Sequence, residues 1–219
     1  MTFEIRNRIA ELDDARHLYR DATELGGFAV HRCGVNLVDG IVLGYDAIRV
    51  VEAFIGRRPE WIEVAKATGD QNAYTLLIGG DLGPPQYDGV IWQALPVDDV
   101  GMHARRFSAP YLGIGLIADP RKKAISVKQR ASLVWLLGAL ARACTRDPYR
   151  SIRGHGEIDG AHDGTKAVGR HNACPGDLLA MNELRDDVAQ AMGWPKETWD
   201  VDQARGELEA AGLVWSLRP

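Results

Sequence analysis

The sequence predicts an α/β domain with a mixed, largely buried central sheet and helices on both faces. Three observations carry that expectation. Short apolar runs of strand length stand at 28–33, 72–80 and 111–118. They alternate with segments of helical periodicity, as layered α/β folds require. The run Tyr111-Leu112-Gly113-Ile114-Gly115-Leu116-Ile117-Ala118 has no polar face, which suits a central strand covered on both sides.

Taken in order, Glu11 to about Thr23 reads as a short helix. Phe28-Ala29-Val30-His31-Arg32-Cys33 reads as a strand whose alternation puts His31 and Cys33 on one face. A second helix is expected from Tyr45 through Ile55, with Ile48, Val51 and Ile55 at helical spacing and Gly56 to Pro59 ending it. The apolar run from Asn72 to Gly80, the turn-rich Gly83-Pro84-Pro85 and the stretch from Tyr87 to Leu95 form a strand, loop, strand unit. Ser126 caps a long helix reaching about Cys144, with Leu133, Leu136, Leu137 and Leu140 on its apolar stripe. From Ser151 to Gly176 the chain is rich in Gly, His, Asp and Asn and has little apolar periodicity. It reads as a long surface loop, a feature that in compact domains often carries function. A helix resumes near Gly176 and runs to about Met192, and a last one covers Val201 to Ala211. The expected organisation is a helical lead-in over 1–27, a main domain over 28–192, and a short helical extension over 193–219 that packs back with Trp199 and Trp215 as anchors.

Composition narrows the function classes. With 219 residues, 46% of them hydrophobic, the chain can bury one substantial core. A formal net charge of -4 excludes adhesion to nucleic acid or anionic membrane by bulk electrostatics. No run is long enough to span a bilayer, and the start Met1-Thr2-Phe3-Glu4-Ile5-Arg6 has no apolar core of signal-peptide length, so synthesis in the cytoplasm without membrane insertion is expected. Oligomeric state is not legible. Three cysteines, Cys33, Cys144 and Cys174, are too few and odd in number for a disulfide framework, which leaves free thiols or metal ligation.

The histidines point to the second of these. His31, His103, His155, His162 and His171 fall at strand ends or in the polar loop, and His17 on the first helix. A lone histidine is commonly a surface or satisfied core residue. The combination of a strand histidine, a histidine after the long helix and a cysteine closing the loop is more telling. Two imidazoles and a thiolate suit zinc and leave a fourth tetrahedral position for water. Cys33 beside His31 can also ligate, and His162 or His171 can replace His155 or close the fourth position. Cys174 is preferred because its Pro-Gly-Asp context opens a helix just beyond the metal. Cys144 reads as core, and Glu157 as a capping or supporting carboxylate.

Four local motifs sharpen this reading. They are Ala29-Val30-His31; Ala73-Tyr74-Thr75-Leu76-Leu77-Ile78; Val100-Gly101-Met102-His103-Ala104 followed by Leu112-Gly113-Ile114; and Arg153-Gly154-His155-Gly156-Glu157 with Ala173-Cys174-Pro175-Gly176-Asp177-Leu178. In content and order they resemble the type 2 N-acetylmuramoyl-L-alanine amidases, a family that includes phage lysins and animal peptidoglycan recognition proteins. The resemblance spans roughly residues 28–180. It implies a zinc ion on His31, His155 and Cys174, and hydrolysis of the amide between N-acetylmuramic acid and L-alanine of peptidoglycan. It further implies Tyr74 as a donor to the developing oxyanion and His103 as a lining residue of the substrate groove. The metal is then expected at one sheet edge, in an elongated cleft for a glycan strand with its peptide. A phage endolysin of this kind reaches the wall after release, for example through a lysis pore.

Three departures stand out. Asn172 occupies the position two before Cys174 where many catalytic members carry lysine or threonine; it can donate a hydrogen bond but brings no charge. Pro110 stands where an asparagine is usual. His155 and Cys174 are separated by an excursion over Asp159 to Val168, longer than the family spacing. A catalytically weak or inactive peptidoglycan-binding module of the same fold is the alternative that these departures motivate.

Overall fold

The computed structural model describes residues 3–7, 25–32, 74–82, 85–101, 103, 109–160, 174–195 and 199–216. Among these residues six strands form one sheet: β1 (Ile5–Asn7), β2 (Gly27–Arg32), β3 (Leu76–Ile78), β4 (Ile91–Gln93), β5 (Tyr111–Leu116) and β6 (Ile152–Gly154), in the order β1-β4-β3-β5-β2-β6. Among the described residues only the β3–β4 pairing is antiparallel; β1–β4, β3–β5, β5–β2 and β2–β6 are parallel. The sheet is therefore mixed, as the sequence predicts.

Alternation along the strands sorts their side chains onto two faces. Phe28 and Val30 of β2, Leu76 and Ile78 of β3, and Leu112, Ile114 and Leu116 of β5 join one hydrophobic core. The helix α1 (Val127–Ala143) lies against that face and contributes Leu133, Leu136, Leu137 and Leu140, all fully buried. Each such leucine stabilises the fold by about 1.5–3 kcal/mol through area removed from water. Ser126 caps this helix as expected, its Oγ accepting from Gln129 N at 3.0 Å and donating to Asp88 Oδ1 at 2.5 Å. Two buried polar side chains of the first turns bind it to the β3–β4 unit: Gln129 Nε2 donates to Ile78 O at 2.9 Å and Ser132 Oγ to Gly89 O at 2.6 Å.

A four-residue turn of helix, α2 (Pro148–Ser151), is N-capped by Asp147 and leads into β6 and the short α3 (His155–Gly160). Two further helices, α4 (Met181–Met192) and α5 (Val201–Ala210), pack on α1 and add Leu184, Val188, Met192, Ala204 and Leu208 to the same core. The C-terminal segment is integral to the sheet edge. Gln93 holds Val214 from both sides, its Oε1 accepting from Val214 N at 2.7 Å and its Nε2 donating to Val214 O at 2.6 Å. Trp199 and Trp215 are half-buried against the core.

Several expectations are corrected. The stretch 1–27 is not simply a helical lead-in: Ile5–Asn7 is an edge strand paired to β4, with Ile5 N donating to Ala211 O at 2.6 Å. Residues 151–160 are not surface loop. Ile152 is fully buried, and β6 followed by α3 replaces the first third of the expected loop. The helix placed near Gly176 begins at Met181; Gly176 itself holds φ at +129°, outside helical backbone, and a Cβ there would lie 2.6 Å from the carbonyl carbon of Pro120. Tyr74 stands two residues ahead of β3 rather than opening it. The helices expected at 11–23 and 45–55 and the loop excursion from Asp159 to Val168 lie outside the described residues, apart from the backbone of Asp159 and Gly160.

Candidate metal centre

The face of β5 opposite the core carries only Tyr111, Gly113 and Gly115, and the two glycines leave room beside β2. Ala29 pairs with Gly113 and His31 with Gly115. His31 therefore projects from the carboxyl end of β2 into space that a side chain on β5 would fill. On its other side, Val30 pairs with Gly154. The chain leaves β6 one residue later, which sets His155 beside His31 with ring centroids 4.4 Å apart. Binding sites of open, largely parallel sheets characteristically form beyond such carboxyl ends.

Cys174 reaches the two histidines through backbone contacts. Gly156 N donates to Cys174 O at 2.9 Å, and a Cβ on Gly154 would meet Pro175 Cδ at 2.9 Å, so the Cys174 segment lies directly over the β6–α3 junction. That junction is braced from below. Glu157 accepts from Gly154 N at 2.8 Å and pairs with Arg185, whose Nε donates to Ile152 O at 2.9 Å. Glu157 is thus a supporting carboxylate, in line with its sequence reading.

The ligand atoms of His31, His155 and Cys174 lie within 4.8 Å of one another. Ligands on a tetrahedral zinc stand about 3.5 Å apart, so small side-chain rotations suffice to close the set around an ion. His31 is 2% exposed, and burial, followed by the neighbouring His103 and His155, holds its pKa well below 6.5. A neutral imidazole is the form a metal requires. Two nitrogens and a thiolate fit zinc.

Two more rings complete the cluster. Tyr74 is buried with its ring 5.2 Å from His31. His103 meets His31 edge to face, its Nδ1 2.9 Å from His31 Nε2 and its Nε2 2.9 Å from Tyr111 O. The sequence placed His103 against substrate; the structure buries it and turns both ring nitrogens toward protein atoms. Beside Cys174 an open cleft of about 350 Å³ is lined by Gly154, Gly156, Glu157, Pro175 and Met181.

One residue at the centre escaped the sequence reading. Arg32, the last residue of β2, has its Nη1 3.8 Å from Asp119 Oδ1. Asp119 is already engaged by Arg121, Nε to Oδ1 at 2.7 Å and Nη2 to Oδ2 at 2.8 Å, and that hydrogen bonding holds its carboxyl below 3.8. The Arg32 pKa is lowered from its ordinary value, first by burial and then by the charge of Arg121, while Cys174, Asp119 and Tyr74 pull it back up. Arg32 remains cationic. Its only sequence signal was adjacency to His31, inside the strand expected over Phe28 to Cys33.

The structure thus brings together His31, His155, Cys174, Tyr74 and His103. Asn172, and the alternative ligands Cys33, His162 and His171, lie outside the described residues. Among the described residues, no helix is long and apolar enough to cross a membrane.

Comparison with known proteins bears on the family and the fold. The family model described as N-acetylmuramoyl-L-alanine amidase matches residues 38–177, well over half of the chain. The match takes in His155 and Cys174 and begins after His31, which joins them through the β2–β6 register. Among solved structures, the chain is similar to the N-acetylmuramoyl-L-alanine amidase LysC from Clostridium intestinale URNW, with TM-score 0.52, 16% identity, and 85% of this chain and 98% of that one covered. It is also similar to the Ph2119 endolysin from the Thermus scotoductus MAT2119 bacteriophage Ph2119, with TM-score 0.53, 17% identity and coverage of 84% and 99%. A third likeness is to bumblebee PGRP-SA, with TM-score 0.54, 16% identity and coverage of 90% and 99%. At these identities the likenesses establish the fold. No curated protein matches the chain in sequence.

Proposed function

We propose, for a chain that belongs to the N-acetylmuramoyl-L-alanine amidase family, that it is a zinc-dependent hydrolase cutting the amide between N-acetylmuramic acid and L-alanine of peptidoglycan. The observation that carries this reading is the convergence of His31, His155 and Cys174, a donor set that leaves one tetrahedral position open. A zinc ion held there supplies Lewis acidity toward the amide carbonyl and lowers the pKa of water.

The chain's own residues supply the rest. Tyr74, packed on His31, brings a neutral hydroxyl donor to the amide oxygen as charge develops on it. Arg32 brings fixed positive charge to the neighbourhood of Cys174 and Tyr74, a task that a lysine near the third ligand performs in many members that this sequence resembles. Asn172 contributes a side-chain amide donor from the segment preceding Cys174. The cleft beside Cys174 receives the glycan and peptide on either side of the scissile bond. The enzyme acts as a phage endolysin on the wall after leaving the cytoplasm.

One specific feature favours a second reading. Asn172 is neutral where a lysine or threonine is usual, which suits a module that binds peptidoglycan without cutting it. Digestion of purified peptidoglycan by the zinc-loaded protein separates the two. Stem peptides carrying a newly freed N-terminal alanine support hydrolysis. Retention on the wall with every sugar-to-peptide linkage intact after prolonged incubation overturns it in favour of the binding module.

A further inference from the structure

We propose that His103 is a positioning residue of the metal centre, which fixes the tautomer of His31 so that Nδ1, and not Nε2, is the ligand atom. The proposal rests on the metal-centre reading above and concerns a residue that the sequence assigned to substrate.

The direction of each hydrogen bond follows from what its partners can do. The main-chain carbonyl of Tyr111 only accepts, so His103 Nε2, 2.9 Å away, carries a hydrogen. A neutral imidazole protonated there has a lone pair on Nδ1. That lone pair faces His31 Nε2 at 2.9 Å, so His31 is the donor and its Nε2 carries a hydrogen. The remaining lone pair of His31 is on Nδ1, where it is available to a metal. The opposite tautomer would set two lone pairs against each other across the contact and remove the metal-binding lone pair from Nδ1. Ligating histidines generally donate their second ring N–H to an orienting acceptor, and such acceptors set both ring angle and affinity.

Packing holds the relay in place. His103 is 7% exposed and His31 2%, so water does not compete for the bond between them. The His103 ring lies over Gly113, where a Cβ would come within 2.6 Å of its Cδ2 and 2.7 Å of its Cγ. With both nitrogens committed to Tyr111 and His31, the ring's polar edges face the protein rather than a substrate. The Gly113 position on β5 is therefore part of the same device, because any side chain there would push His103 off His31.

The test compares the wild type with His103→Leu, which keeps bulk and removes the acceptor, and with His103→Asn, whose side-chain oxygen can stand near the former Nδ1 position. Long-range nitrogen–proton correlation spectra of the metal-free wild type should show His31 protonated on Nε2. Zinc affinity by chelator competition should fall about 10- to 100-fold in His103→Leu and recover to within a few-fold in His103→Asn. If His103→Leu does not fold, Gly113→Ala, which displaces the ring, should give the same loss of affinity. His31 protonated on Nδ1 in the wild type, or undiminished zinc affinity in the folded Leu or Gly113→Ala variant, overturns the proposal while leaving the metal centre standing. A wild type that binds no zinc overturns the metal centre itself and the proposal with it.

Discussion

Val30 lies opposite Gly154 in the parallel pairing of β2 and β6, and this one register brings the first and second histidines of the centre together. His31 follows Val30 and His155 follows Gly154, so a slip of one residue would turn one of the pair to the other face of the sheet. Cys174 is then docked on the same junction through Gly156 and Pro175.

Gly154→Ala should separate Cys174 from the histidines. The added Cβ meets Pro175 Cδ at 2.9 Å, and relief of that contact moves the ligand segment outward. Expected outcomes are a weaker zinc affinity and a loss of about 1–3 kcal/mol in stability from overpacking. Chelator competition and urea unfolding read the two effects.

Cys174→Ser and chelation of the wild type probe whether the site is open. Loss of a ligand from an open three-residue site should abolish stoichiometric zinc binding and leave the fold intact by circular dichroism. Removing zinc from the wild type should lower Tm by the amount that binding contributes by mass action, without unfolding the protein at ambient temperature. A chain that unfolds outright on chelation would have a closed structural site.

The buried His31 makes the metal-free protein acid-sensitive. In the unfolded chain a histidine takes up a proton near 6.5, whereas burial keeps His31 neutral to a much lower pH in the folded state. Above about pH 6.5 neither state binds that proton and stability is full. As pH falls below it, the unfolded state binds more protons, and stability should drop by about 1.4 kcal/mol per pH unit until the folded-state value is reached. A Tm series between pH 8 and pH 5 should show this slope in the wild type and a flatter one in His31→Gln.

Arg185→Met tests the brace beneath β6. Arg185 is 5% exposed and holds Ile152 O, Asn182 and Glu157 together. Removing it strands a buried carbonyl and leaves Glu157 without its cation, although Glu157 is partly exposed and keeps some hydration. A loss of about 2–3 kcal/mol is expected by urea unfolding, less than for a fully buried pair.

Arg32→Gln should act on turnover rather than on the metal. Its charge sits near Cys174 and Tyr74 but offers no ligand atom. A fall in kcat/KM of about tenfold or more, with zinc content unchanged, is the expected result for lost stabilisation of developing negative charge. Equal losses of zinc and activity would assign Arg32 to holding the site's structure instead.

Long periodic segments were legible in the sequence. The leucine stripe and Ser126 cap of α1 and the apolar run of β5 have enough residues to reveal their period. The three-residue strands β1 and β6 do not: Ile5 and Ile152 owe their burial to partners far along the chain, β4 and β2, which no local pattern encodes. For the same reason the polar composition around His155 suggested a loop where the chain forms an edge strand and a short helix. The candidate ligand set came from motifs and their order, while the contact between its members depends on the β2–β6 register. His103 was recognised as part of the site but placed toward substrate, because its inward orientation depends on Gly113, a residue on another element. Arg32 carried no signal beyond its place after a candidate ligand.

Zinc K-edge X-ray absorption on the purified, zinc-loaded protein tests the central claim most directly. One zinc per chain with two imidazole nitrogens, one sulfur and one light exchangeable oxygen ligand is the result expected for His31, His155 and Cys174 with an open fourth position. A coordination sphere closed by four protein ligands, or the absence of stoichiometric zinc, would contradict it.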